Sequence, residues 1–462
     1  MNELTLDFII SSCRGKKIGK GNLFIRNIIT DSRQKIDAQT LFIALKGENY
    51  DGHKFVDETF NKGAQVAIVS STEDININMI EDKILILVDD TLVALQEIAK
   101  EYRKQFDIPI VAVTGSVGKT TTKEILSTCL TSSFNTHYTE GNFNNDIGLP
   151  LTLLKIEDHH EAAVVEMAMR AKGEILRLAN IAMPTCAIIT NVELVHLETL
   201  GTLENIAQAK CEVLEKLSEK NFALINGDNS LLLKVAKDYP CRQYTFGYNH
   251  GCDCRIIEVI SNENGLIIDV ELFQERVKLE FPIPAPKLAL NVVAAAGTAF
   301  LLGVTIQDII KQIASYKPAG NRLAISHLPE GGIIINDTYN ANPLSMLSAL
   351  ETSLAFKGTK RLVAVLGDMY ELGEYEEEGH LSVGMSVVAN KVDILITVGQ
   401  LGTYIAEGAI QAGMDRASVY HFTDKVECLH YMKHNLKKTD VILFKASRGM
   451  QLEMLINDWL VK

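Results

Sequence analysis

The 462-residue sequence has no excess of basic residues. It carries 45 Lys and Arg against 58 Asp and Glu, which gives a formal net charge of −13. The net charge is −2 over residues 1–105, −8 over 106–316 and −3 over 317–462. Proteins hold nucleic acid mainly through Lys and Arg on its phosphates, so the sequence excludes a dedicated nucleic-acid surface. A small basic pocket for a single anion stays compatible with this charge.

The sequence also lacks a cysteine framework and a long hydrophobic run. None of its eight cysteines forms a CxxC pair, and Cys252 and Cys254 do not have the usual zinc spacing. Reduced cysteines of a cytoplasmic protein are therefore expected. The segment before Cys13 has two acidic residues and no Lys or Arg, which is not typical of a signal peptide. The longest uncharged run, Leu288 to Gln307, includes polar residues and predicts a buried helix, with no membrane span.

The length predicts about three domains, at roughly 150 residues per domain. Residues 1–85 have the short apolar runs of a small α/β unit. Residues 86–316 alternate apolar strands with helices, which predicts a doubly wound, mostly parallel sheet. The same alternation resumes within residues 317–462 and predicts a second open α/β sheet. We therefore expect an α/β protein of three domains.

The strongest motif is a buried strand that runs into a glycine-containing turn and then a helix. Backbone N–H groups at such a turn, together with the helix N-terminus, bind phosphate oxygens. Lys119 would reach the terminal phosphates of ATP, and the Thr120 hydroxyl would join a Mg²⁺ shell. Val113 stands where the general motif has its first glycine, so the match is to a shorter form of the loop. The residues predicted to bind ATP are Thr114, Gly115, Ser116, Val117, Gly118, Lys119, Thr120 and Thr121.

Six further motifs accompany this loop. They read T-D-S-R at 30–33, L-F-I-A-L-K-G at 41–47 with D-G-H at 51–53, G-N-F-N-N-D-I-G-L-P at 141–150, D-T-Y-N-A-N-P at 337–343, L-G-D-M-Y-E-L-G at 366–373 and K-A-S-R-G-M at 445–450. In this order, and across the whole chain, the seven motifs resemble those of the Mur ligases, which extend the peptide stem of peptidoglycan precursors. The motifs at 337–343 and 366–373 look most like the last-acting member, which adds D-alanyl-D-alanine.

The resemblance implies an ATP-dependent peptide ligase of the cytoplasm. The terminal carboxylate of UDP-N-acetylmuramoyl-tripeptide would take the γ-phosphoryl group of ATP, and the amine of D-alanyl-D-alanine would then displace phosphate. The resemblance also implies a UDP-sugar domain over residues 1–85, an ATP-binding domain over 86–316 and a Rossmann-like domain over 317–462. It further implies a monomer, with no nucleic-acid partner.

Two Mg²⁺ ions are part of the chemistry that the resemblance implies. Glu166 follows the apolar run 162–165, at the edge from which a parallel sheet presents ligands, and a carboxylate there suits Mg²⁺. The resemblance makes Glu166 a ligand of the first metal and His196 a ligand of the second. It makes Lys210 a lysine that reacts with CO₂ to form a carbamate, which ligates or orients the second metal. The catalytic set is Lys119, His196 and Lys210, and the metal set is Thr120, Glu166, His196 and Lys210.

Glu166, His196 and Lys210 also have simpler interpretations, which follow from the residue types alone. An isolated Glu at a strand end, a histidine in a loop and a lysine on a helix are common in proteins without any site. The plainer interpretations of Glu166, His196 and Lys210 are a strand-end carboxylate, a packed loop histidine and a solvated lysine.

The resemblance adds nucleotide contacts from the second half of the chain, at Asn291, Arg322, Asp337 and Asn340. Lys287 and Ala285 stand where the family has His and Gly, so the family pattern does not predict how adenine packs here.

The remaining motif residues are implied to hold the other substrates. Arg33 is a candidate clamp for a diphosphate or a carboxylate. By themselves these stretches are typical of exposed turns and strand-to-helix loops. The implied contacts to the UDP-sugar or peptide are Asp31, Ser32, Arg33, Lys46, Gly47, His53, Asn142, Asn144 and Asn145, and those to the dipeptide or phosphate are Lys445, Ser447 and Arg448.

Two other functions stay open at this point. One is a neighbouring ligase, which adds the third stem residue or acts on folylpolyglutamate. The motif at 30–33 disfavours the folate enzyme, and those at 337–343 and 366–373 disfavour the third-residue ligase. The other is a nucleotide-dependent regulatory protein without ligase activity, which the retained loop, metal and lysine positions disfavour. The sequence does not reveal whether the third stem residue is lysine or diaminopimelate.

Overall fold

A computed structural model describes residues 1–47, 50–73, 75, 82–193, 197–318, 320–370 and 372–461. The chain forms two compact units, Met1–Thr245 with Leu301–Val304, and Phe246–Phe300 with Thr305–Lys462. The domain boundaries expected near residues 85 and 316 stay a prediction. Among the described residues, every helix is too short or too polar to cross a lipid bilayer.

The first unit begins with a five-stranded sheet. The segments of this region are β1 (Leu4–Thr5), α1 (Leu6–Cys13), β2 (Lys16–Ile18), β3 (Phe24–Ile25), β4 (Asn27–Ile29), β5 (Thr40–Ile43), α2 (Val56–Asn61), β6 (Val66–Val69), β7 (Ile84–Leu87) and α3 (Thr91–Arg103). Strands β1 and β3 pair with each other in a separate two-stranded antiparallel sheet. In the five-stranded sheet, β2 and β4 to β7 take part. The strand order is β2-β7-β6-β5-β4, with β4 to β7 parallel and β2 antiparallel at the edge. Strands β5 and β6 are buried at every residue, as expected when both faces of a parallel sheet are covered.

A second, wholly parallel set of strands follows in the same unit. Its segments are β8 (Ile110–Thr114), α4 (Lys119–Leu130), β9 (Thr136–Tyr138), α5 (Gly148–Leu153), β10 (Ala162–Glu166), α6 (Glu174–Ala182), β11 (Cys186–Ile189), α7 (Leu197–Leu200), α8 (Leu203–Cys211), β12 (Phe222–Asn226) and α9 (Ser230–Ala236). These strands lie in the order β9-β10-β8-β11-β12. Because β10 and β11 flank β8, the loops that follow these three strands meet at one edge of the sheet.

After β13 (Arg242–Gly247), the second unit contains an antiparallel meander. It consists of β14 (Cys254–Asn262), β15 (Gly265–Leu272) and β16 (Glu275–Phe281). The sequence predicted a strand pair over 266–282, and the structure adds β14 as a third strand. Two helices follow, α10 (Ala289–Leu301) and α11 (Ile306–Ala314). Helix α10 is the expected alanine-rich buried helix, with nine of its residues buried.

The rest of the second unit is an open sheet with helices on both faces. Its segments are β17 (Ala324–His327), β18 (Ile333–Asn336), α12 (Pro343–Lys357), β19 (Leu362–Gly367), α13 (Glu376–Ala389), β20 (Ile394–Val398), α14 (Gly402–Gln411), β21 (Val419–Phe422), α15 (Lys425–Asn435), β22 (Val441–Lys445) and α16 (Glu453–Leu460). The order is β17-β18-β22-β19-β20-β21, and only β17 is antiparallel.

The strand order places a crevice at the carboxyl end of β22. The connections from β18 to β21 all step in one direction, so right-handed crossovers put α12, α13 and α14 on one face. The connection from β21 returns to β22, which puts α15 on the other face with α16. Two separate apolar cores, one on each side of the sheet, agree with this arrangement. Loops that leave a sheet toward opposite faces open a ligand-binding crevice between them. The predicted α/β class with mostly parallel sheets is confirmed.

Candidate active site

The loop between β8 and α4 has the conformation that a phosphate site needs. Gly115 has a φ of +145°, and a Cβ there would lie 1.9 Å from the Thr190 side-chain oxygen. Gly118 has a φ of +84° and immediately precedes Lys119, the first residue of α4. Both conformations are accessible to glycine and strained for other residues. The turn therefore brings backbone N–H groups and the positive end of α4 to the same point.

A second loop, after β11, braces this turn. The N–H groups of Ser116 and Val117 donate to the backbone and side-chain oxygens of Asn191, at 3.1 and 2.9 Å. The Thr190 hydroxyl donates to the Val117 carbonyl at 2.6 Å, and the Glu193 N–H donates to the Ser116 hydroxyl at 2.9 Å. The sequence reasoning missed Asn191 as a partner of the loop. The adjacency of β8 and β11 could have indicated it, because their ends must lie side by side.

The structure brings two predicted lysines together. Lys119 donates from Nζ to the carbonyl oxygens of Gly115 and Ser116, at 2.8 and 3.1 Å. Lys210 lies near the end of α8 and is only 2% exposed. Burial lowers the pKa of Lys210 well below its usual value, and the charge of Lys119 lowers it further. Both effects favour the neutral amine form of Lys210 more than in an exposed lysine.

Glu166 ends β10 and pairs in register with Val113, directly next to the phosphate loop. Its carboxylate is buried, and Oε1 accepts a hydrogen bond of 2.7 Å from Asn144 Nδ2. Its other oxygen, Oε2, is buried and has no hydrogen-bond partner among the described residues, and the same holds for the Thr114 hydroxyl oxygen. A buried oxygen left without a partner is costly.

The donor set at this edge suits Mg²⁺. The open carboxylate oxygen of Glu166 and the buried Thr120 hydroxyl are hard oxygen donors of the kind that Mg²⁺ prefers. Within the described ranges, no three His, Cys, Asp or Glu side chains converge on one point. This fits Mg²⁺, which commonly keeps several waters and takes few protein ligands. His196, the predicted ligand of a second metal, lies outside the described residues.

The predicted UDP-sugar loop begins directly after β4. Arg33 donates from its guanidinium to both oxygens of Asp31, at 2.7 to 3.2 Å. This hydrogen bonding lowers the pKa of Asp31 to about 2. The Arg33 side chain is 86% exposed and available to a ligand. Ser32 is buried, and its carbonyl accepts a hydrogen bond of 2.9 Å from Lys62.

His53 is engaged on both ring nitrogens. The Ser70 N–H donates to Nε2 at 2.9 Å, so Nδ1 carries the proton and donates to Asp51 at 2.6 Å. Gly47 donates its N–H to the Tyr50 carbonyl at 2.7 Å. Lys46 lies 3.8 Å from Asp51 with a side chain that is 72% exposed. Of the predicted Lys46, Gly47 and His53 set, Lys46 presents an exposed charge that pairs with Asp51, while His53 fixes the shape of the loop.

The three predicted asparagines have different positions. Asn144 orients Glu166, as described above. Asn145 accepts at its side-chain oxygen from the N–H groups of Ile147 and Gly148, at 3.2 and 2.9 Å, and so stabilises the turn that leads into α5. Asn142 is exposed, and its carbonyl accepts from the Asn144 N–H at 2.7 Å.

In the second unit, Asp337 and Lys445 meet at the crevice beside β22. Lys445 Nζ donates to Asp337 Oδ2 at 2.5 Å and to the Asn340 carbonyl at 2.9 Å. The Leu323 N–H donates to Asp337 Oδ1 at 3.1 Å. The Lys445 and Asp337 side chains are 3% and 13% exposed. Three predicted residues from two separate motifs, Asp337 and Asn340 from one and Lys445 from the other, thus form one buried, hydrogen-bonded cluster.

The other predicted residues of this unit surround that cluster or lie apart from it. The Arg322 guanidinium stacks 3.7 Å from the Tyr339 ring centroid. The Ser447 hydroxyl accepts from the Tyr370 N–H at 2.8 Å. Arg448 is exposed and pairs with Glu453 at 2.6 Å. Asn291 lies in the first turn of α10.

Sequence reasoning missed Asp368, although it lies within a motif. Its side chain accepts from the Gly402 N–H at 2.8 Å, and its carbonyl accepts from the Ser447 N–H at 3.0 Å. Burial raises the pKa of the Asp368 carboxyl. Asp368 therefore ties the loops after β19, β20 and β22 together at the crevice.

Three family models match the chain in order. They are described as Mur ligase family, catalytic domain, over residues 24–103; Mur ligase middle domain, over 113–299; and Mur ligase, glutamate ligase domain, over 321–448.

Relatives and solved structures match over nearly the full length. The UDP-N-acetylmuramoyl-tripeptide–D-alanyl-D-alanine ligase of Bacillus subtilis (strain 168) is 40% identical over 94% of this chain and 93% of its own. MurF from Acinetobacter baumannii is 29% identical with a TM-score of 0.89, and the alignment covers 100% of both chains. MurF ligase from Thermotoga maritima in complex with ADP is 30% identical with a TM-score of 0.80, over 94% of this chain and 97% of that one. On these matches and on the loop geometry, the chain belongs to the Mur ligase family.

Proposed function

We propose that this chain joins D-alanyl-D-alanine to UDP-N-acetylmuramoyl-tripeptide at the cost of one ATP. The terminal carboxylate of the tripeptide attacks the γ-phosphorus, ADP leaves, and an acyl phosphate forms. The dipeptide amine then attacks the acyl carbon, the acyl C–O bond breaks, phosphate leaves with the electrons of that bond, and the amine loses a proton. The products are ADP, phosphate and the UDP-linked pentapeptide.

One observation carries this proposal. The Glu166 oxygen without a partner among the described residues lies at the end of β10, next to the phosphate loop whose turn depends on glycine. The chain that contains this arrangement is 40% identical to the UDP-N-acetylmuramoyl-tripeptide–D-alanyl-D-alanine ligase of Bacillus subtilis. A buried open oxygen and a helix N-terminus provide sites for a cation and for phosphate groups, which ATP-dependent carboxylate activation requires.

The chain's own residues have separable tasks in this scheme. The N–H groups at the start of α4 and Lys119 bind the phosphates and stabilise the charge that builds up during phosphoryl transfer. Thr120 and Glu166 would hold Mg²⁺, which when bound neutralises phosphate charge. Asn144 keeps the Glu166 carboxylate oriented through its hydrogen bond of 2.7 Å.

Lys210 is proposed to carry a carbamate. A neutral amine is needed to attack CO₂, and the lowered pKa of Lys210 favours that form. The amine nitrogen bonds to carbon, one proton leaves, and the side chain becomes an anion. Together with His196, this anion would serve a second metal.

The remaining assignments extend the same scheme. Asp31, Ser32, Arg33 and Lys46 are proposed to face the UDP-sugar, and the crevice beside β22 is proposed to bind the dipeptide.

All eight cysteine side chains are free, which agrees with a reducing cytoplasm. A monomer remains the expectation.

Phosphate release by the full chain tests the proposed reaction. ATP and Mg²⁺ are supplied with UDP-tripeptides that carry either lysine or diaminopimelate, and D-alanyl-D-alanine is compared with single amino acids. We expect release to require the UDP-tripeptide and the dipeptide together. Stimulation by another amine, with none by the dipeptide, would overturn the assignment in favour of a neighbouring ligase.

Carbon-13 NMR tests the carbamate separately. Protein equilibrated with ¹³C-bicarbonate should show a carbamate resonance that disappears in Lys210→Met. A spectrum that is the same for the wild type and the variant would remove the assigned role of Lys210.

A further inference from the structure

Lys123 is a buried cation that the proposed reaction does not use. It lies four residues after Lys119 and three after Thr120 on α4, one helical turn further along the same face. Only 2% of the residue is exposed. Burying an ammonium group is costly unless it gains hydrogen bonds, so its contacts indicate what it holds in place.

Those contacts lead to the backbone of Glu166. Lys123 Nζ donates to the Thr139 carbonyl at 2.7 Å. The fully buried Thr139 hydroxyl accepts from the Glu166 N–H at 3.0 Å, and the Thr139 N–H donates to the Val164 carbonyl at 3.0 Å. Thr139 is thus fixed at three atoms, between the helix of the phosphate loop and the strand that ends at Glu166.

The side chain of Glu166 is held from another direction. Asn144 occupies Oε1, and Oε2 stays open. Thr120, the other proposed oxygen donor, belongs to the same helix as Lys123. One turn of α4 therefore connects both donors, Thr120 directly and Glu166 through Lys123 and Thr139.

We propose that Lys123 is a positioning residue, which fixes the Glu166 carboxylate relative to the Thr120 hydroxyl and so sets the affinity for the metal that accompanies the nucleotide. The inference rests on the proposed function for the identity of the reaction. The affinity that it concerns is measurable without that reaction.

The test measures Mn²⁺ binding to the full chain in the presence of ADP, by electron paramagnetic resonance. Lys123→Met keeps the length of the side chain and removes the donor. Changes to groups that orient metal ligands typically cost about 10- to 100-fold in metal affinity, so we expect at least a tenfold weaker Mn²⁺ affinity. ADP affinity measured in EDTA should stay within about twofold, because the turn N–H groups and Lys119 are unchanged.

Matched variants separate positioning from packing. Thr139→Val removes the hydroxyl that accepts from the Glu166 N–H, and Thr139→Ser keeps it. We expect Thr139→Val to weaken Mn²⁺ binding as Lys123→Met does, and Thr139→Ser to stay near the wild type. Lys104→Met, at an exposed lysine paired with Glu101, is the control for loss of a lysine charge.

Several outcomes would overturn the proposal. Wild-type Mn²⁺ affinity in folded Lys123→Met would show that the side chain only fills space. An equal loss of ADP affinity in EDTA would show that it supports the phosphate loop instead. If Lys123→Met does not fold, equal Mn²⁺ affinities of the two Thr139 variants decide against the proposal. A wild type that binds Mn²⁺ and ADP but releases no phosphate would refute the proposed function alone.

Discussion

The two units place polar clusters at equivalent positions, the carboxyl ends of parallel strands, but they satisfy them differently. At the end of β10, Glu166 keeps a buried oxygen to which no described residue donates a hydrogen bond. At the end of β18, both oxygens of Asp337 accept hydrogen bonds, one from the Leu323 N–H and one from Lys445. We call the first cluster open, because one of its carboxylate oxygens lacks a partner among the described residues. We call the second cluster closed, because residues of the chain satisfy both carboxylate oxygens.

We infer from this difference that the Glu166 cluster binds a ligand and that the Asp337–Lys445 cluster stabilises the fold around it. An open buried oxygen reduces stability, and a bound cation recovers the loss. A closed ion pair already compensates its charges, and removal of either partner exposes the other. Variants at the open cluster should therefore change activity more than stability, and variants at the closed cluster should do the reverse.

Lys119→Ala is the largest expected change and tests the open cluster. The ammonium group that should stabilise charge on the transferred phosphoryl is lost, so we expect about a 10³-fold loss in kcat/KM for phosphate release. The measurement is steady-state release with all three substrates. Lys104→Ala, which removes an exposed lysine directly after α3, should match the wild type. Residual activity above a tenth of the wild type would remove the role of Lys119.

Lys445→Met tests the closed cluster. It leaves the Asp337 carboxylate buried without its cation, so the free energy of unfolding should fall by about 3–5 kcal/mol. Trp459 is buried, lies in the second unit and is the only tryptophan, so its fluorescence during urea unfolding reports on this unit. The double variant Lys445→Met with Asp337→Leu should recover much of the loss.

Arg448→Met is the matched control in the same unit, since the Arg448 side chain is 58% exposed and pairs with Glu453. The Glu453 side chain is 20% exposed, so the pair is only partly open to water, and its loss should cost about 1 kcal/mol, less than the loss of Lys445. Equal unfolding free energies for the Arg448 and Lys445 variants would mean that the second cluster is not closed in the way described.

Glu166→Gln compares stability and activity at one residue. The substitution removes a buried carboxylate whose Oε2 has no partner among the described residues. Hydrogen exchange of the β10 amides should therefore give a free energy of opening that is unchanged or about 1 kcal/mol higher. Activity should fall about 10²-fold, because the proposed cation loses its carboxylate.

Glu212→Gln is the matched control, because the Glu212 carboxylate is equally buried but accepts from the N–H groups of Gly173 and Leu176, at 2.7 and 3.1 Å. There, loss of one acceptor should lower stability by about 1–3 kcal/mol. If Glu166→Gln destabilises as much as Glu212→Gln, the distinction between open and closed sites fails.

The sequence predicted the strand ends better than it predicted what they contact. Alternating apolar runs located β8, β10, β18, β19 and β22, since buried parallel strands have a distinct composition. The phosphate loop could be predicted because glycine, lysine and threonine spacing is local. The hydrogen bonds that Asn191, Lys123 and Asp368 make to distant loops could not be predicted in this way. Each of them depends on which strands become neighbours in the sheet. Asn144 was assigned to substrate, yet it contacts Glu166, a partner 22 residues away along the chain.

The smallest expected effect on stability comes from the Asp31–Arg33 pair. Its two side chains hydrogen-bond to each other, but the pair is exposed to water, which weakens its contribution. The pKa of Asp31 is about 2, chiefly through the Arg33 side chain and then the Arg33 N–H. Arg33→Gln removes the first cause and keeps the second, so the pKa should rise toward, but not reach, its usual value of 3.8. Because the folded-state pKa is depressed, the pair stabilises the fold above about pH 4 and loses this effect as pH falls through 2.

Carboxyl-carbon NMR of the aspartates measures this shift. Near pH 3.5, wild-type Asp31 should be almost fully ionised, and in Arg33→Gln a substantial fraction should be protonated. Arg276→Gln is the matched control, because Arg276 lowers the pKa of Asp269 in the same way in the other unit. An Asp31 pKa that stays at about 2 in Arg33→Gln would assign the shift to backbone N–H groups. The loop would then be pre-shaped for its ligand without the arginine, and Arg33 would be free to bind the UDP-sugar diphosphate.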